Sequence, residues 1–129
     1  MSEFILYVDR SEIREGKLEE LKTAMNELVE FVKVNEPRLL AYRVHLTEDG
    51  TRMTVVHVHP DSASLEFHME VAGAKFARFA EFVRLLSIDV YGKPSDDVVE
   101  QLRQKARMLG NGTVQVHGSH TGFARFGTH

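Results

Sequence analysis

The stretch from Arg52 to His68, RMTVVHVHPDSASLEFH, most constrains what this chain can fold into. It is rich in β-branched residues up to His59, and Pro60 then lacks the backbone N–H that a strand would need. Asp61 is a good N-cap, and the apolar residues after it follow helical spacing. The stretch therefore predicts a strand that carries a His-x-His pair and leads directly into a helix that carries a third histidine.

Apolar periodicity predicts the remaining elements. The predicted strands are 4–9, 39–46, 52–59, 87–91 and 113–117, and the predicted helices are 15–34, 61–86 and 95–109. The order β-α-β-β-α-β is the ferredoxin-like arrangement, here extended by one helix and one strand. We therefore expect an α+β fold in a single domain of residues 1–129, with a core at about 4–91 and an extension at about 95–126.

The hairpin between the second and third strands is compatible with two registers. A two-residue turn at Asp49-Gly50 would put Tyr42 beside His57, whereas a type I turn at Glu48-Asp49 with Gly50 left-handed would put Ala41 there. We expect the second register because it gives one consistently apolar face to meet the helices. That face would carry Leu40, Tyr42, Val44, Leu46, Val56 and Val58, and the opposite face would carry Arg43, His45, Met53, Val55, His57 and His59.

Two patterns predict a homodimer. The second helix has a second apolar stripe, which a surface helix of a monomer would not need. The stripe consists of Phe67, Val71, Ala74 and Phe82. The sheet face away from the helices is also expected to carry Ile5, Met53 and Val55 beside its histidines, so it should not lie bare in water. Packing it against the same face of a second copy would form a barrel with a cavity at the subunit interface.

Composition and charge exclude several classes of function. The 129 residues include no cysteine, which excludes disulfides, thiolate metal sites and a cysteine nucleophile, and fits a reducing compartment such as the cytoplasm. No basic-then-apolar leader precedes the first strand, and no apolar run approaches the roughly 18 residues of a membrane span, so we expect no membrane partner. The net charge of −3 comes from interspersed signs, which argues against nucleic acid as a partner.

The central stretch resembles the antibiotic biosynthesis monooxygenase family of dimeric α+β barrels. That family carries a pattern like Glu-x-Trp-x-Asp-x-x-Ala-Leu-x-x-His on its third strand and second helix. Here Asp61, Leu65 and His68 match the pattern, while His57 and His59 stand at the positions of the acidic residue and the tryptophan. The C-terminal sequences YGKPSD and TGFARF resemble a bacterial branch of that superfamily that has a C-terminal extension.

The resemblance implies an activity. Members of the family oxidise electron-rich phenols or quinols with O₂ and usually need no cofactor. We therefore expect an oxidoreductase that binds a small aromatic molecule in a cavity at the dimer interface and uses no cofactor. Two alternatives stay open, namely a non-catalytic small-molecule binding or stress-response dimer, and a metal-dependent lyase or isomerase.

The candidate catalytic residues are His57, His59 and Arg43. An imidazole titrates near neutral pH and can serve as a general acid or base, and residues two apart on a strand point to the same face. The His-x-His pair lacks a third ligand at a motif-like spacing, so we expect no metal. The predicted substrate-binding residues are Tyr7, Asp9, His45, Met53, Val55 and His68. For His68, which follows core periodicity, a structural role with a hydrogen bond to a backbone carbonyl is the alternative.

Overall fold

One five-stranded sheet organises residues 4–126, the part of the chain described by a computed structural model. The strands are β1 (Ile5–Ile13), β2 (Ala41–Leu46), β3 (Arg52–His59), β4 (Val83–Tyr91) and β5 (Thr113–His117), and the helices are α1 (Leu18–Asn35), α2 (Ser62–Ala72) and α3 (Asp96–Leu109). The strand order is β2-β3-β1-β4-β5, with only β4 and β5 parallel. The α+β, ferredoxin-like arrangement with an additional C-terminal helix and strand is confirmed.

Side-chain caps determine where α2 and α3 begin. The Asp61 carboxylate accepts a hydrogen bond from the backbone N–H of Ser64 at 2.9 Å, and the Ser95 hydroxyl accepts one from that of Val98 at 3.2 Å. Gly110, at φ 141°, ends α3 in a conformation that favours glycine. The predicted cap at Asp61 is confirmed. Within residues 4–126, no helix is long and apolar enough to cross a membrane.

The boundary between α2 and β4 differs from the prediction. The helix ends at Ala72 rather than near Leu86, two short 3₁₀ turns follow, and β4 already begins at Val83. A bulge in the pairing with β1 places one extra residue in β4, so Leu85 and Ile88 share a face although they lie three positions apart. The helix was predicted too long because Phe76, Phe79, Ala80 and Val83 follow helical spacing, although the 3₁₀ turns and the start of β4 occupy this segment.

The predicted hairpin register is wrong by one residue. The turn itself has the expected form, since the backbone N–H of Gly50 donates to the carbonyl of Thr47 and Gly50 has a φ of 71°. However, the Asp49 carboxylate also accepts hydrogen bonds from the backbone N–H and the hydroxyl of Thr51, at 3.0 and 2.7 Å. These bonds hold Thr51 in the loop, and the wider loop places Tyr42 opposite His57.

The register decides which side chains meet the helices. We call the helix-covered side of the sheet the inner face. It carries Ile5, Tyr7, Asp9 and Ser11 of β1, Tyr42, Val44 and Leu46 of β2, and Met53, Val55, His57 and His59 of β3. The opposite, outer face carries Leu6, Val8, Arg10, Arg43, His45, Val56 and Val58. The prediction that Arg43 and His45 share a face with His57 is therefore wrong, as is the prediction that Val56 and Val58 meet the helices.

We expect the protein to be a homodimer that buries the outer face. Val56 and Val58 are only half-buried there, and the helices of the described residues lie on the other side of the sheet. Light scattering at low micromolar concentration should give the mass of two chains. Val56→Glu should yield monomers because it would place a charge in the interface, whereas Val34→Glu, at a side chain that is 70% exposed on α1, should leave the dimer intact. A stable monomeric wild type would contradict the expectation.

Candidate active site

A cluster of polar side chains lies buried between the inner face and the helices. Its members are Tyr7 and Asp9 of β1, Glu36 after α1, His57 and His59 of β3, Ser64 and His68 of α2, and Lys105 of α3, none more than 8% exposed. A buried polar group without a partner costs about 1–3 kcal/mol. So many of them in a core of this size indicate a site whose hydrogen bonds are matched to one another.

The ring of His57 is held in the centre of the cluster by aromatic contacts. The Tyr7 ring stacks on this imidazole at a centroid distance of 4.2 Å and an interplanar angle of 26°, and the Tyr42 ring stacks on it at 4.3 Å and 27°. His68 meets the same imidazole edge-on at 4.7 Å and 82°. These contacts leave the imidazole of His57 little freedom to rotate, so the directions of its two nitrogens are fixed.

A hydrogen-bonded chain runs from His57 to the start of α2. Its Nδ1 lies 3.3 Å from Nε2 of His59, whose Nδ1 lies 2.8 Å from the hydroxyl oxygen of Ser64. Within residues 4–126, Nε2 of His57 has no hydrogen-bond partner. Two proton arrangements satisfy the chain, one that leaves this nitrogen with a lone pair and one that leaves it with a hydrogen. The chain can therefore present either a proton acceptor or a proton donor at one buried point.

His68 is oriented by a carboxylate that comes from a different element. Its Nδ1 donates to both carboxylate oxygens of Glu36, at 2.9 and 2.8 Å, instead of to the backbone carbonyl that core periodicity suggested. Its Nε2 is also buried without a partner among the described residues. His68 is therefore a buried core residue that also belongs to the polar cluster, because it contacts Glu36 and His57.

Lys105 brings a buried cation to the other side of the cluster. Its Nζ donates to the Tyr7 hydroxyl at 2.8 Å, and that hydroxyl donates to Asp9 at 2.6 Å. The ammonium lies 3.6 Å from the Asp9 carboxylate and 4.2 Å from the centroid of the Phe76 ring. The sequence pattern did not single out Lys105. Its three-residue spacing from Leu102, on the apolar stripe, was the signal that could have placed it in the core.

Burial sets the charge states of the cluster. Loss of solvation lowers the pKa of His57 well below its usual value and lowers the pKa of His59 to about 3. Burial also lowers the pKa of His68, although Glu36 opposes that change. The imidazoles are therefore neutral near pH 7. Burial raises the pKa of both Tyr7 and Tyr42, which keeps the phenols neutral, and lowers the pKa of Lys105 against the opposing effect of Asp9.

A small cavity adjoins the cluster on the inner face. Its volume is about 40 Å³, and its wall includes Asp9, Tyr42, Phe76 and Lys105. A space of this size holds about one to three water molecules. Because His57 and His59 face the helices, a cavity between two sheets of a dimer would not contain them. The expectation of an interface cavity around these histidines is therefore wrong, and the site lies within one chain.

Seven of the nine predicted site residues come together on the inner side. They are Tyr7, Asp9, Met53, Val55, His57, His59 and His68. Arg43 and His45 do not join them because both are exposed on the outer face. Sequence reasoning missed Glu36, Ser64 and Lys105 and assigned Tyr42 to the core. Nowhere in residues 4–126 do three His, Asp or Glu side chains form a group that could hold a metal ion.

Comparison with solved structures identifies the fold. MupZ from Pseudomonas fluorescens superimposes with a TM-score of 0.74 at 21% identity, over 97% of this chain and 91% of that one. A putative antibiotic biosynthesis monooxygenase from Caulobacter crescentus CB15 gives 0.62 at 19% identity, over 69% and 88%. A variant of SnoaB, a cofactor-independent oxygenase from Streptomyces nogalater, gives 0.61 at 10% identity, over 73% and 96%. This chain has the fold of the antibiotic biosynthesis monooxygenases.

The coverage separates the core of this monooxygenase fold from its extension. The matches to the Caulobacter protein and to SnoaB span 69% and 73% of this chain, whereas the match to MupZ spans 97% and so includes most of α3 and β5. Lys105 therefore enters the cluster from the extension. No protein-family model matches the sequence, and no curated protein matches it either.

The buried histidines should make stability depend on pH. Between a usual value near 6.5 and a folded value of about 3, the unfolded chain binds a proton at His59 that the folded chain does not. The free energy of unfolding should therefore fall as the pH falls through this window, by up to about 1.4 kcal/mol per pH unit for each such histidine. Urea titrations at pH 7.5 and pH 5 should show the loss, and His59→Gln should reduce it. Equal midpoints at the two pH values would contradict the assignment of neutral imidazoles.

Removing the buried ammonium should destabilise the fold. Lys105→Met keeps most of the length of the side chain but leaves Asp9 buried without its cation, so we expect a loss of about 3–5 kcal/mol in the free energy of unfolding. Arg103→Met, at an exposed position of the same helix, is the matched control and should change stability by less than about 0.5 kcal/mol. Equal effects of the two substitutions in urea titrations would show that the ion pair is not part of the core.

Proposed function

We propose that the chain is a cofactor-independent, monooxygenase-like oxidoreductase that acts on a small phenol or quinol whose hydroxyl reaches the polar cluster between the sheet and the helices. The observation that carries the proposal is the oriented imidazole of His57, whose Nδ1 is held by His59 and whose Nε2 is buried and unpartnered among the described residues. A base positioned by a second group is the arrangement that acid–base catalysis requires. The oxygenase description of SnoaB, which shares the fold, favours the same chemistry.

The first step is removal of a proton from the substrate hydroxyl. Nε2 of His57 accepts this proton while its Nδ1 proton passes to His59, and the Nδ1 proton of His59 passes to Ser64. Ser64 releases its own hydroxyl proton toward solvent at the start of α2. Because each imidazole ends the transfer neutral, the relay avoids leaving a charged ring in the core, which would be costly.

The second step is oxidation of the resulting anion by O₂. A quinol that reacts with one O₂ gives a hydroxyquinone and one water: one oxygen atom forms the new C–O bond, and the other leaves as water with two protons, equal in number to the two hydrogens that the substrate loses, one of which leaves through His57. All the electrons come from the substrate, so the overall reaction needs no external reductant. The role of the protein is to hold the anion in a dry space and to stabilise developing negative charge.

Lys105 is the group suited to that stabilisation. Its ammonium lies in the cavity wall, and the Tyr7 hydroxyl and the Asp9 carboxylate fix its position. The lowered pKa of Lys105 also allows the ammonium to give up a proton to the reduced oxygen more readily than an exposed lysine would. In this proposal the enzyme is a homodimer whose subunits pack against each other through the outer face of the sheet. It works in the cytoplasm, a reducing compartment that suits a chain without cysteine.

Oxygen uptake with a panel of quinols and polyphenols tests the proposal. His57→Ala should lower the rate by about 10²–10⁴-fold, the contribution typical of a general base. Arg103→Ala, which removes an exposed side chain of α3, should retain activity and serves as the control. His68→Ala should mainly lower stability, because it leaves the buried Glu36 carboxylate unpaired.

The same assay separates the alternatives. Wild type that consumes no O₂ above the uncatalysed rate but binds aromatic molecules would support the non-catalytic binding function. Activity that is lost on chelation and restored by one transition metal would support the metal-dependent alternative. Full activity of a correctly folded His57→Ala variant would contradict the role given to this histidine.

A further inference from the structure

The side chains around Lys105 form a unit that the histidine relay does not use. Nζ of Lys105 donates to the Tyr7 hydroxyl at 2.8 Å, and this hydroxyl donates to the Asp9 carboxylate at 2.6 Å. Nζ also lies 3.6 Å from Oδ2 of Asp9. All three side chains are buried, and Lys105 and Asp9 both line the inner cavity. An amine, a phenol and a carboxyl group are therefore joined in one hydrogen-bonded chain at the wall of a cavity.

The surroundings of Lys105 favour its neutral amine more than water does. Burial lowers the pKa of Lys105, and the nearby Asp9 only partly opposes this change. Nζ can pass a proton to the Tyr7 hydroxyl while the hydroxyl passes its own proton to Asp9, which converts the ion pair into an amine and a carboxylic acid. Because neither product is charged, this transfer removes two charges from the core. A buried lysine that can lose its proton in this way is a nucleophile.

The inner cavity limits which molecules the amine can meet. Its volume is about 40 Å³, which is enough for about three non-hydrogen atoms, and it is a partly open recess that a molecule of this size can enter. Among the described residues that line it, Lys105 is the only cation, and most of the others are apolar, such as Met53 and Val55. An anionic ligand would lie beside the Asp9 carboxylate with no second cation to offset the repulsion. The size, the lining and the charge of the cavity together fit a short neutral aldehyde.

We propose that Lys105 forms a Schiff base with short neutral aldehydes in the inner cavity. The amine adds to the carbonyl carbon, and the carbonyl oxygen receives the π electron pair and one proton from the nitrogen, which gives a carbinolamine. The new hydroxyl group then takes the proton held by Asp9, through Tyr7, and leaves as water while the nitrogen lone pair forms the C=N bond. The resulting iminium cation pairs with the restored Asp9 carboxylate, as the ammonium did. Of the three hydrogens of the ammonium, two end in water and one stays on the iminium nitrogen, so the step needs no oxidant or reductant.

Reductive trapping with acetaldehyde and sodium cyanoborohydride at pH 7, followed by peptide mass spectrometry, tests the proposal on the full chain. Lys105 should gain an ethyl group at least about tenfold faster than Lys33, an exposed lysine near the end of α1, because a desolvated amine is the stronger nucleophile. Unfolding in urea should abolish the difference, since it depends on the buried surroundings of Lys105. Glyoxylate, an anionic aldehyde, should show no preference for Lys105 over Lys33.

Two matched variants test the proton path through Tyr7. Tyr7→Phe keeps the ring that stacks on His57 but removes the hydroxyl, so it should slow labelling of Lys105 about tenfold and leave labelling of Lys33 unchanged. Tyr91→Phe removes the same group from the outer face, where Tyr91 pairs with Leu6, and should be labelled like wild type.

The wild-type protein alone can overturn the proposal, even if Tyr7→Phe does not fold. Labelling of Lys105 no faster than that of Lys33 would overturn the Schiff base, and an equal preference of glyoxylate for Lys105 would overturn the neutral ligand class. Equal labelling of Lys105 in a folded Tyr7→Phe would overturn the proton path. Trapping needs neither O₂ nor a phenol, so failure of the proposed oxidation would leave these outcomes unaffected.

Discussion

The packing of the His57 ring between Tyr7 and Tyr42 is the interaction on which the rest of the site depends. It places an imidazole in the core, where the charged form is unstable and a nitrogen without a partner is costly. Two other polar groups of the cluster support this packing. His59 is hydrogen-bonded to Nδ1 of His57, and Lys105 donates a hydrogen bond to the Tyr7 hydroxyl. Nε2 of His57 is left buried without a hydrogen-bond partner among the described residues, and it can exchange a proton.

Stability and function compete within this arrangement. An apolar core of the same shape would avoid the desolvation of three histidines, a lysine and two acids, and replacing buried charges with apolar groups is often neutral or stabilising. The cluster instead carries two unpartnered nitrogens, on His57 and His68, within the described residues. Unfavourable groups of this kind persist where they serve chemistry or binding, and His57 stacks here on Tyr42, which lines the inner cavity.

Much of the fold could be predicted from the sequence, whereas the site was only partly predictable. Period-two alternation gave β3 its observed limits, and cap chemistry at Asp61 gave the start of α2. The hairpin register could not be predicted because it depends on whether the Asp49 carboxylate holds Thr51 in the loop, a matter of a few hydrogen bonds. That single residue determines whether Tyr42 or Ala41 faces His57. Periodicity alone therefore gave the order of the strands correctly but misjudged the end of β1, the start of β4 and the faces.

The most direct test of the account is the protonation state of His57 in solution. Long-range ¹⁵N–¹H NMR of histidine side chains, with His57→Gln used to assign the signals, reports the charge and tautomer of each ring. The account predicts that the ring of His57 stays neutral from pH 8 to pH 5 and that its Nε2 signal shifts when 1-naphthol is added. An imidazolium at pH 7, or an Nε2 signal that no phenol perturbs, would contradict the claim that this buried nitrogen is the working base of the site.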